Sequence, residues 1–280
     1  MACRKLGKLF AFADLSAEFS DPGKRQVVDH FRVVVVISAH RSPILPRVDI
    51  EPADEGVHAD CIDEWWFGWW LPDGSAGMCG HRSDPATRVL GYWWVWRAPG
   101  EPFLHISDWN VPMRSSSGLM KGDLLWAEHL CEAAHEQWTV SNESLATAVD
   151  DPLEILRSGF GESTPIASDV EWYATSRPTP LTAGAGYQQV GVVHGLIEVA
   201  SRRPVEIVEA SAWRCHRWWS RGSDPIGEIF PQQISERVDA VIAGPDRSSW
   251  MFYVDVDGWA EVIHPLSDGS SGGARPQERR

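Results

Sequence analysis

The sequence lacks an apolar run long enough to cross a membrane. Its longest is the short VVVVISA segment that begins at Val33, whereas a membrane helix needs about 20 apolar residues. We therefore predict no membrane span. The N-terminal segment MACRKLGKLFAFADLSAEF is basic, but Asp14 interrupts its apolar stretch and it has no clean small-residue cleavage site. We expect no secretory signal and a cytoplasmic protein.

Basic residues and cysteines are also scarce. The chain has 25 Lys+Arg against 39 Asp+Glu, a formal net charge of −14, which argues against a nucleic-acid partner or an anionic membrane surface because both require a basic face. The five cysteines are odd in number and widely spaced, without a C-x-x-C pair. This pattern argues against a disulfide framework and against a zinc ribbon.

The motifs of common cofactor and nucleophile sites are missing. There is no H-E-x-x-H, P-loop or G-x-S-x-G, and the glycines of GAGYQQVG do not fit the dinucleotide fingerprint. His129, Cys131 and His135 would share a face of one continuous strand, but metal ligands are usually closer together or come from separate elements. We predict no metal and no bound cofactor.

Tryptophan, in contrast, is abundant, with 16 residues in 280. Aromatic side chains bury large areas and offer flat faces, so the excess indicates either a thick β core or the wall of an apolar ligand site. The tryptophans lie in short aromatic and β-branched segments separated by turn residues, which predicts an all-β protein. EWWFGWWL, for example, ends at a Pro-Asp-Gly turn, and GYWWVWRA ends at Pro-Gly.

Three segments have more specific predictions. Residues 124–136 have a composition that also suits a helix, but the strand-like residues that follow favour paired strands. DPLEILRSG predicts a short helix. YQQVGVVHGLIEVA and VEIVEASAWR predict a hairpin in which Arg214 and His216 share one face with Glu206, Val208, Ala210 and Ala212, while Trp213, Cys215 and Arg217 lie on the other.

The ends of the chain differ from its middle. Residues 1–45 are poorly periodic and predict a peripheral extension. Residues 267–280, which are rich in glycine and serine and then charged, have little to bury and predict a disordered tail.

The segments EWWFGWWLPDGSAGMCGHR, GYWWVWRAPGEPFLHISDWNVP, LLWAEHLCEAAHEQWTVSNESLATAVDDP, DVEWYATSRP and the hairpin, in that order, resemble actinobacterial proteins of the AttH-like group. More distant relatives of that group are the carotenoid 1,2-hydratases (hydroxyneurosporene synthases) and certain fungal Diels–Alderase-type cyclases. The resemblance covers about residues 62–266. It implies two tandem lipocalin-like β-barrels or sandwiches, with an apolar ligand site inside or between them. On that basis we expect a first domain at 46–177 and a second at 178–266, which may also include strands from the first half.

The signature of this group is a Gly-Gln-Arg-Asp-His-Ser-Trp-Gly run at the end of the second hairpin strand. Arg214, His216 and Trp218 match it, whereas Cys215 replaces the aspartate and Arg217 the serine. If the chemistry of the group uses that aspartate, this chain lacks the acid. The resemblance therefore implies the fold more firmly than the chemistry.

Hydration of an alkene requires an acid that keeps its proton in an apolar site and aromatic faces that stabilise the cation formed. Asp108, Glu128 and Glu198 lie among apolar residues on predicted strands and are the candidate acids. His216 could donate a proton or orient a ligand, or it could make structural hydrogen bonds, and Arg214 could bind a ligand oxygen or pair with a buried carboxylate. The candidate ligand-binding residues are Trp66, Trp94, Trp109, Trp126, Trp213, Trp218 and Trp219.

Three hypotheses about function follow. The first is an enzyme that hydrates, cyclises or isomerises an apolar isoprenoid, steroid or polyketide-like molecule without a cofactor. The second is a lipocalin-like carrier that binds such a molecule and does no chemistry. In the third, the tryptophans only fill a core.

Overall fold

The computed structural model of the protein describes residues 50–114, 118–157, 159–223, 225, 228–245 and 249–263. The extension predicted at 1–45 and the tail predicted at 267–280 lie outside the described residues. The described chain consists mainly of β-strands, so the all-β prediction is confirmed. The strands are β1 (Cys61–Trp70), β2 (Ala76–Asp84), β3 (Val89–Arg97), β4 (Phe103–Pro112), β5 (Leu119–Lys121), β6 (Leu125–Ala133), β7 (Gln137–Val149), β8 (Glu162–Ala174), β9 (Thr179–Pro180), β10 (Ala185–Val199), β11 (Val205–Ser220), β12 (Gln232–Ile234), β13 (Ala240–Ala243), β14 (Ser249–Asp255) and β15 (Gly258–Ile263).

The first eleven strands form one antiparallel sheet. Its order is β4-β3-β2-β1-β11-β10-β8-β7-β6-β5, with β9 paired to β10. Because β4 also pairs with β7, the strands from β4 to β7 along this path close into a ring. Strands from both sides of residue 177 belong to this sheet, since β10 pairs with β8 and β11 pairs with β1.

A second sheet of four strands, in the order β12-β15-β14-β13, covers the outside of the ring. Its inner face packs on β1, β2 and β3 through a buried cluster that includes Trp66, Trp93, Phe230, Phe252 and Trp259. This cover explains why WWFGWW, residues 65–70, is apolar at every position rather than at alternate ones. Successive side chains of β1 face the inside of the ring and the second sheet in turn, and both sides are buried.

The inside of the ring is also filled by aromatic side chains. Trp65, Phe67 and Trp69 of β1 meet Trp94 and Trp138 there, and each of these residues is at most 4% exposed. Much of the tryptophan content therefore serves two cores, one inside the ring and one between the sheets.

Glycines make room for several of these indoles. A Cβ atom on Gly77 would lie 2.3 Å from the ring of Trp69, and one on Gly80 would lie 2.3 Å from the ring of Trp93. Real Cβ atoms do not approach other atoms so closely, because the overlap forces side chains or backbone to move. The alternation of tryptophan and glycine on neighbouring strands is thus a packing requirement.

The predicted paired strands at 124–140 are confirmed, because β6 and β7 form a hairpin. DPLEILRSG contains a 3-10 helix, Pro152–Leu156, and the Asp151 carboxylate accepts a hydrogen bond from the Leu153 backbone N–H at its start. A second 3-10 helix, Pro52–Glu55, precedes β1. The β10–β11 hairpin is also confirmed.

The predicted alternation holds over only part of β11. Arg214 faces the aromatic side chains inside the ring, whereas Trp213 and Cys215 pack toward the second sheet, as predicted. Nearer the hairpin turn the prediction is wrong, since Ile207 is buried with Ala210 in the ring core and Val208 is 68% exposed. A register shift with Glu209 at a positive φ of 49° causes this change of face.

Candidate functional site

A buried ion pair holds Arg214 inside the ring. Its Nη1 lies 3.0 Å from Glu55 Oε2, and its Nε donates to Gln189 Oε1 at 3.0 Å. Burial raises the pKa of Glu55, but the guanidinium outweighs it and holds the pKa below its usual value. Arg214 also lies over the ring of Trp172 at 4.9 Å. The structure therefore places Arg214 in a pair with a buried carboxylate, one of the two roles considered for it.

His216 lies two residues further along β11, on the same face, against Asp63. Its Nε2 lies 3.1 Å from Asp63 Oδ1, and His58 Nδ1 lies 2.6 Å from the same oxygen. Asp63 and His216 are wholly buried, while the side chain of His58 is 26% exposed. We call His58, Asp63 and His216 the imidazole–carboxylate cluster. Burial lowers the pKa of His216 more than Asp63 raises it, so its imidazole is neutral at pH 7.

Stacked rings hold both imidazoles of this cluster in place. The centroid of His58 lies 4.1 Å from that of Trp218, and His216 lies 4.1 Å from Trp65. Trp65 also stacks on His81, whose Nδ1 is 2.8 Å from His129 Nδ1. His58, His216, His81 and His129 are therefore linked in one series of ring contacts and hydrogen bonds.

Several polar atoms inside the ring have no hydrogen-bond partner among the described residues. They include the indole N–H groups of Trp65, Trp94, Trp138 and Trp172, and Nδ1 of His216. Buried donors in this condition cost free energy unless a water or a ligand accepts from them. The ring interior therefore contains polar atoms available to a water or a ligand despite its aromatic lining.

We expect stability to fall on mild acidification because of the buried histidines. Burial lowers the pKa of His129 to about 3 and that of His105 to about 4, against an ordinary value of 6.5. The unfolded chain binds these protons at a higher pH than the folded protein. The free energy of unfolding therefore decreases as the pH falls below about 6.5, by on the order of 1.4 kcal/mol per pH unit for each such histidine.

Urea midpoints between pH 7.5 and 5 measure this slope. Glu55 and Glu64, whose pKa values arginines hold low, keep their stabilising charge across this range and lose it only below the usual range of a carboxyl. His129→Gln should reduce the pH dependence of the free energy of unfolding by the contribution of one histidine. An unchanged slope in that variant, or stability that is flat down to pH 5 in the wild type, would contradict the assignment.

A second buried ionic cluster lies between the two sheets. Glu64 Oε1 accepts from Arg82 Nη2 at 2.7 Å, and Glu64 Oε2 accepts from Arg217 Nε at 2.6 Å and from Trp66 Nε1 at 3.0 Å. Arg82 and Arg217 both lie against the ring of Trp219, at 5.5 and 5.4 Å. These four side chains belong to β1, β2 and β11, and their hydrogen bonds tie the three strands together. We call them the Glu64 cluster.

A separate open cleft lies between the outer face of β10 and β11 and the second sheet. Its volume is about 330 Å³. Trp213 and Phe230 are in contact at its wall, with ring centroids 4.5 Å apart, and Trp213 Nε1 donates to Gln188 Oε1 at 3.1 Å. We call it the aromatic cleft. Its lining residues are Trp70, Gln188, Val190, Ala212, Trp213, Phe230, Pro231, Asp257 and Trp259.

The predicted acids lie away from the aromatic cleft. Asp108 is half-buried on β4 and accepts from the Asn110 backbone N–H at 2.9 Å. Glu128 is half-buried on β6, and Glu198 is exposed on β10. Glu198 shares a different cleft, of about 520 Å³, with Trp126 and the carboxylates of Glu143, Asp169 and Glu171.

The seven predicted tryptophans are spread over several surroundings rather than one wall. Trp94 lies in the ring core, Trp66 and Trp109 lie between the sheets, and Trp126 is 36% exposed. Trp213 is the one that lines the aromatic cleft, together with Trp70 and Trp259, which sequence reasoning did not single out. Trp218 stacks on His58, and Trp219 contacts the arginines of the Glu64 cluster.

Sequence reasoning also missed the three carboxylates that bind Arg214, His216 and Arg217, and the imidazole that shares one of these carboxylates. These are Glu55, His58, Asp63 and Glu64. Asp63 and Glu64 carried a signal, because two adjacent carboxylates at the start of a fully apolar strand must face opposite buried sides. Glu55 and His58 lie outside the strands, where alternation gives no information.

Comparisons of the chain with known protein families, curated proteins and solved structures found no match. In the described part of the chain, no helix has the length and apolarity needed to cross a membrane.

Proposed function

We propose that the protein binds an apolar small molecule of the isoprenoid, steroid or polyketide-like class in the aromatic cleft. The observation that carries the proposal is the lining. Trp70, Trp213, Phe230 and Trp259 surround a space of about 330 Å³, and small-molecule sites are typically clefts of about 300–1,000 Å³ with mostly aromatic walls and a few polar groups.

The polar groups of the cleft are few and well placed to orient a ligand. The Gln188 carboxamide accepts from the Trp213 indole and has its own N–H groups for a ligand oxygen. Asp257 is exposed at the edge. Val190, 55% exposed, also borders the opening, so a ligand has direct access from solvent.

We favour binding without chemistry, the carrier hypothesis. Arg214 and His216, the two matches to the signature with polar side chains, lie on the opposite face of β11 from Trp213, and Arg214 is fully engaged by Glu55 and Gln189. Asp108, Glu128 and Glu198 lie on β4, β6 and β10, and none of them lines the cleft. The aromatic cleft therefore offers an aromatic surface for binding a ligand, and none of the three predicted acids lines it.

Tryptophan fluorescence tests the proposal during titration with farnesol, cholesterol and oleate. We expect at least one of them to quench the wild-type protein saturably, and Trp213→Ala to weaken binding at least tenfold. Trp126→Ala is the matched control, since it removes an indole from the other cleft, and should bind like the wild type.

Trp213→Ala could weaken binding only because it disturbs the packing around Phe230, so a second variant is needed. Val190→Lys places a charge at the opening on an exposed position and should leave the melting temperature unchanged while it weakens binding. Equal affinities for wild type, Val190→Lys and Trp213→Ala, or no binding of any of the three probes, would contradict the proposal.

Acid-catalysed hydration or cyclisation is a second candidate, favoured by Glu261, which lies on the same strand as the cleft residue Trp259 but does not itself line the cleft. This residue pairs with Phe252 and lies two positions after Trp259 on β15, so its side chain is on the face that packs on the ring. Burial raises its pKa, as a proton donor to an alkene requires. Product detection by mass spectrometry separates the candidates. Glu261→Gln should abolish turnover without loss of quenching, whereas Glu128→Gln should leave both intact.

A further inference from the structure

We propose that His58, Asp63 and His216, the imidazole–carboxylate cluster, bind a divalent transition-metal ion, with Zn²⁺ the best fit. This inference is independent of the aromatic cleft. It reverses the expectation of no metal, which rested on the spacing of His129, Cys131 and His135 along one strand. The three residues proposed here come from separate places in the chain, the segment before β1, β1 itself and β11.

The geometry already brings three ligand atoms together. One nitrogen of each imidazole and one oxygen of Asp63 all lie within 4.8 Å of one another, and both imidazoles point to the same carboxylate oxygen. A tetrahedral ion with bonds of about 2.1 Å holds its ligands about 3.4 Å apart. His58 is partly exposed and on a connecting segment, so its ring has room for the small outward movement this requires.

The ion pairs of the other buried carboxylates are an independent reason to expect a metal ion at Asp63. Among the described residues, the buried acids Glu55, Glu64 and Asp239 each form an ion pair with at least one arginine. Asp63 is wholly buried, and its ionic partners there are the two imidazoles. Buried carboxylates are ordinarily paired with a cation or coordinate a metal. A divalent ion would give Asp63 the positive partner that the other three already have.

The surroundings suit a metal ligand set. Asp63 Oδ2 accepts from the backbone N–H of His58 at 3.0 Å, which leaves Oδ1 for an ion. Trp65 and Trp218 stack on the two imidazoles and fix their planes. Three protein ligands leave a fourth position for water, and the exposed edge of His58 offers an entry path.

Titration with Co²⁺, with purification tags removed, tests the inference through the visible absorption that tetrahedral Co²⁺ acquires with protein ligands. We expect one equivalent to bind, to raise the melting temperature, and to be displaced by Zn²⁺. His58→Ala, at a partly exposed position, should fold normally and lose at least tenfold in affinity. His194→Ala, half-buried on β10, is the control and should bind as the wild type does.

Asp63→Asn provides a second variant, because an amide retains the shape and an acceptor oxygen but removes the charge. If it folds, we expect no Co²⁺ absorption. The inference is overturned if the wild type binds no Co²⁺, or if His58→Ala binds it with wild-type affinity, which would place any site elsewhere in the chain. In either case the cluster would be a hydrogen-bonded support for β11.

Discussion

Arg214→Met should destabilise the protein by about 3–5 kcal/mol, because it leaves the Glu55 carboxylate buried without its cation. Glu55 is 7% exposed, and Arg214 is wholly buried. The pair links the 3-10 helix before β1 to the middle of β11. Urea denaturation at pH 7 measures the change.

The double variant Glu55→Gln, Arg214→Met separates loss of the charge pair from loss of packing. Removal of both charges eliminates the unpaired carboxylate, so the double variant should be more stable than Arg214→Met alone. The Gln amide oxygen can still accept from the His135 backbone N–H, which now donates to Glu55 at 2.7 Å. A double variant that is less stable than Arg214→Met would contradict this account of the pair.

Trp66→Ala should destabilise the protein by a similar amount, about 3–5 kcal/mol, through loss of packing rather than charge. Trp66 is wholly buried between the sheets, where its ring lies 4.4 Å from Trp93 and 5.7 Å from Phe230. Its indole N–H also donates a hydrogen bond to the Glu64 carboxylate. The variant removes the central side chain on which the covering sheet rests.

Thermal and urea unfolding of Trp66→Ala and Trp126→Ala compare a buried with an exposed indole. Trp126→Ala should change the free energy of unfolding by less than about 0.5 kcal/mol. Since Trp66 joins the sheets, its variant should also expose β12 to β15 to proteolysis before the ring unfolds. Equal stability of the two variants would mean that the covering sheet contributes little to the fold.

The sequence predicted local structure well where turn residues and side-chain periodicity agree. The hairpin β10–β11 and the shared face of Arg214 and His216 follow from turn residues and alternation alone. The same rule failed at Glu206 and Val208, because the irregularity at Glu209 moves these side chains to the other face of the strand. No residue type in this part of β11 indicates the irregularity. Glycine at 195, with φ of 154°, lies on the partner strand and was the one available hint.

The pairing of strands that are far apart in the sequence could not be predicted from side-chain periodicity. The strand order places β11 beside β1, across more than 140 residues of chain, as the pairing of Trp65 with His216 illustrates. This strand pairing brings together residues of the imidazole–carboxylate cluster and of the Glu64 cluster. Neither His58 nor Glu55 lies in a periodic segment. The candidate acids chosen from their apolar neighbours, Asp108 and Glu198 among them, are half-buried or exposed, because apolar neighbours along a strand do not show which face the carboxylate takes.

The most direct test of the central claim, that the aromatic cleft binds an apolar molecule, uses the indole N–H resonances of the protein labelled with ¹⁵N at tryptophan. On titration with the probe that quenches fluorescence, the account predicts shifts for Trp70, Trp213 and Trp259 and unchanged resonances for Trp126 and Trp94. Shifts confined to Trp126, or to the indoles inside the ring, would place the ligand elsewhere and contradict it.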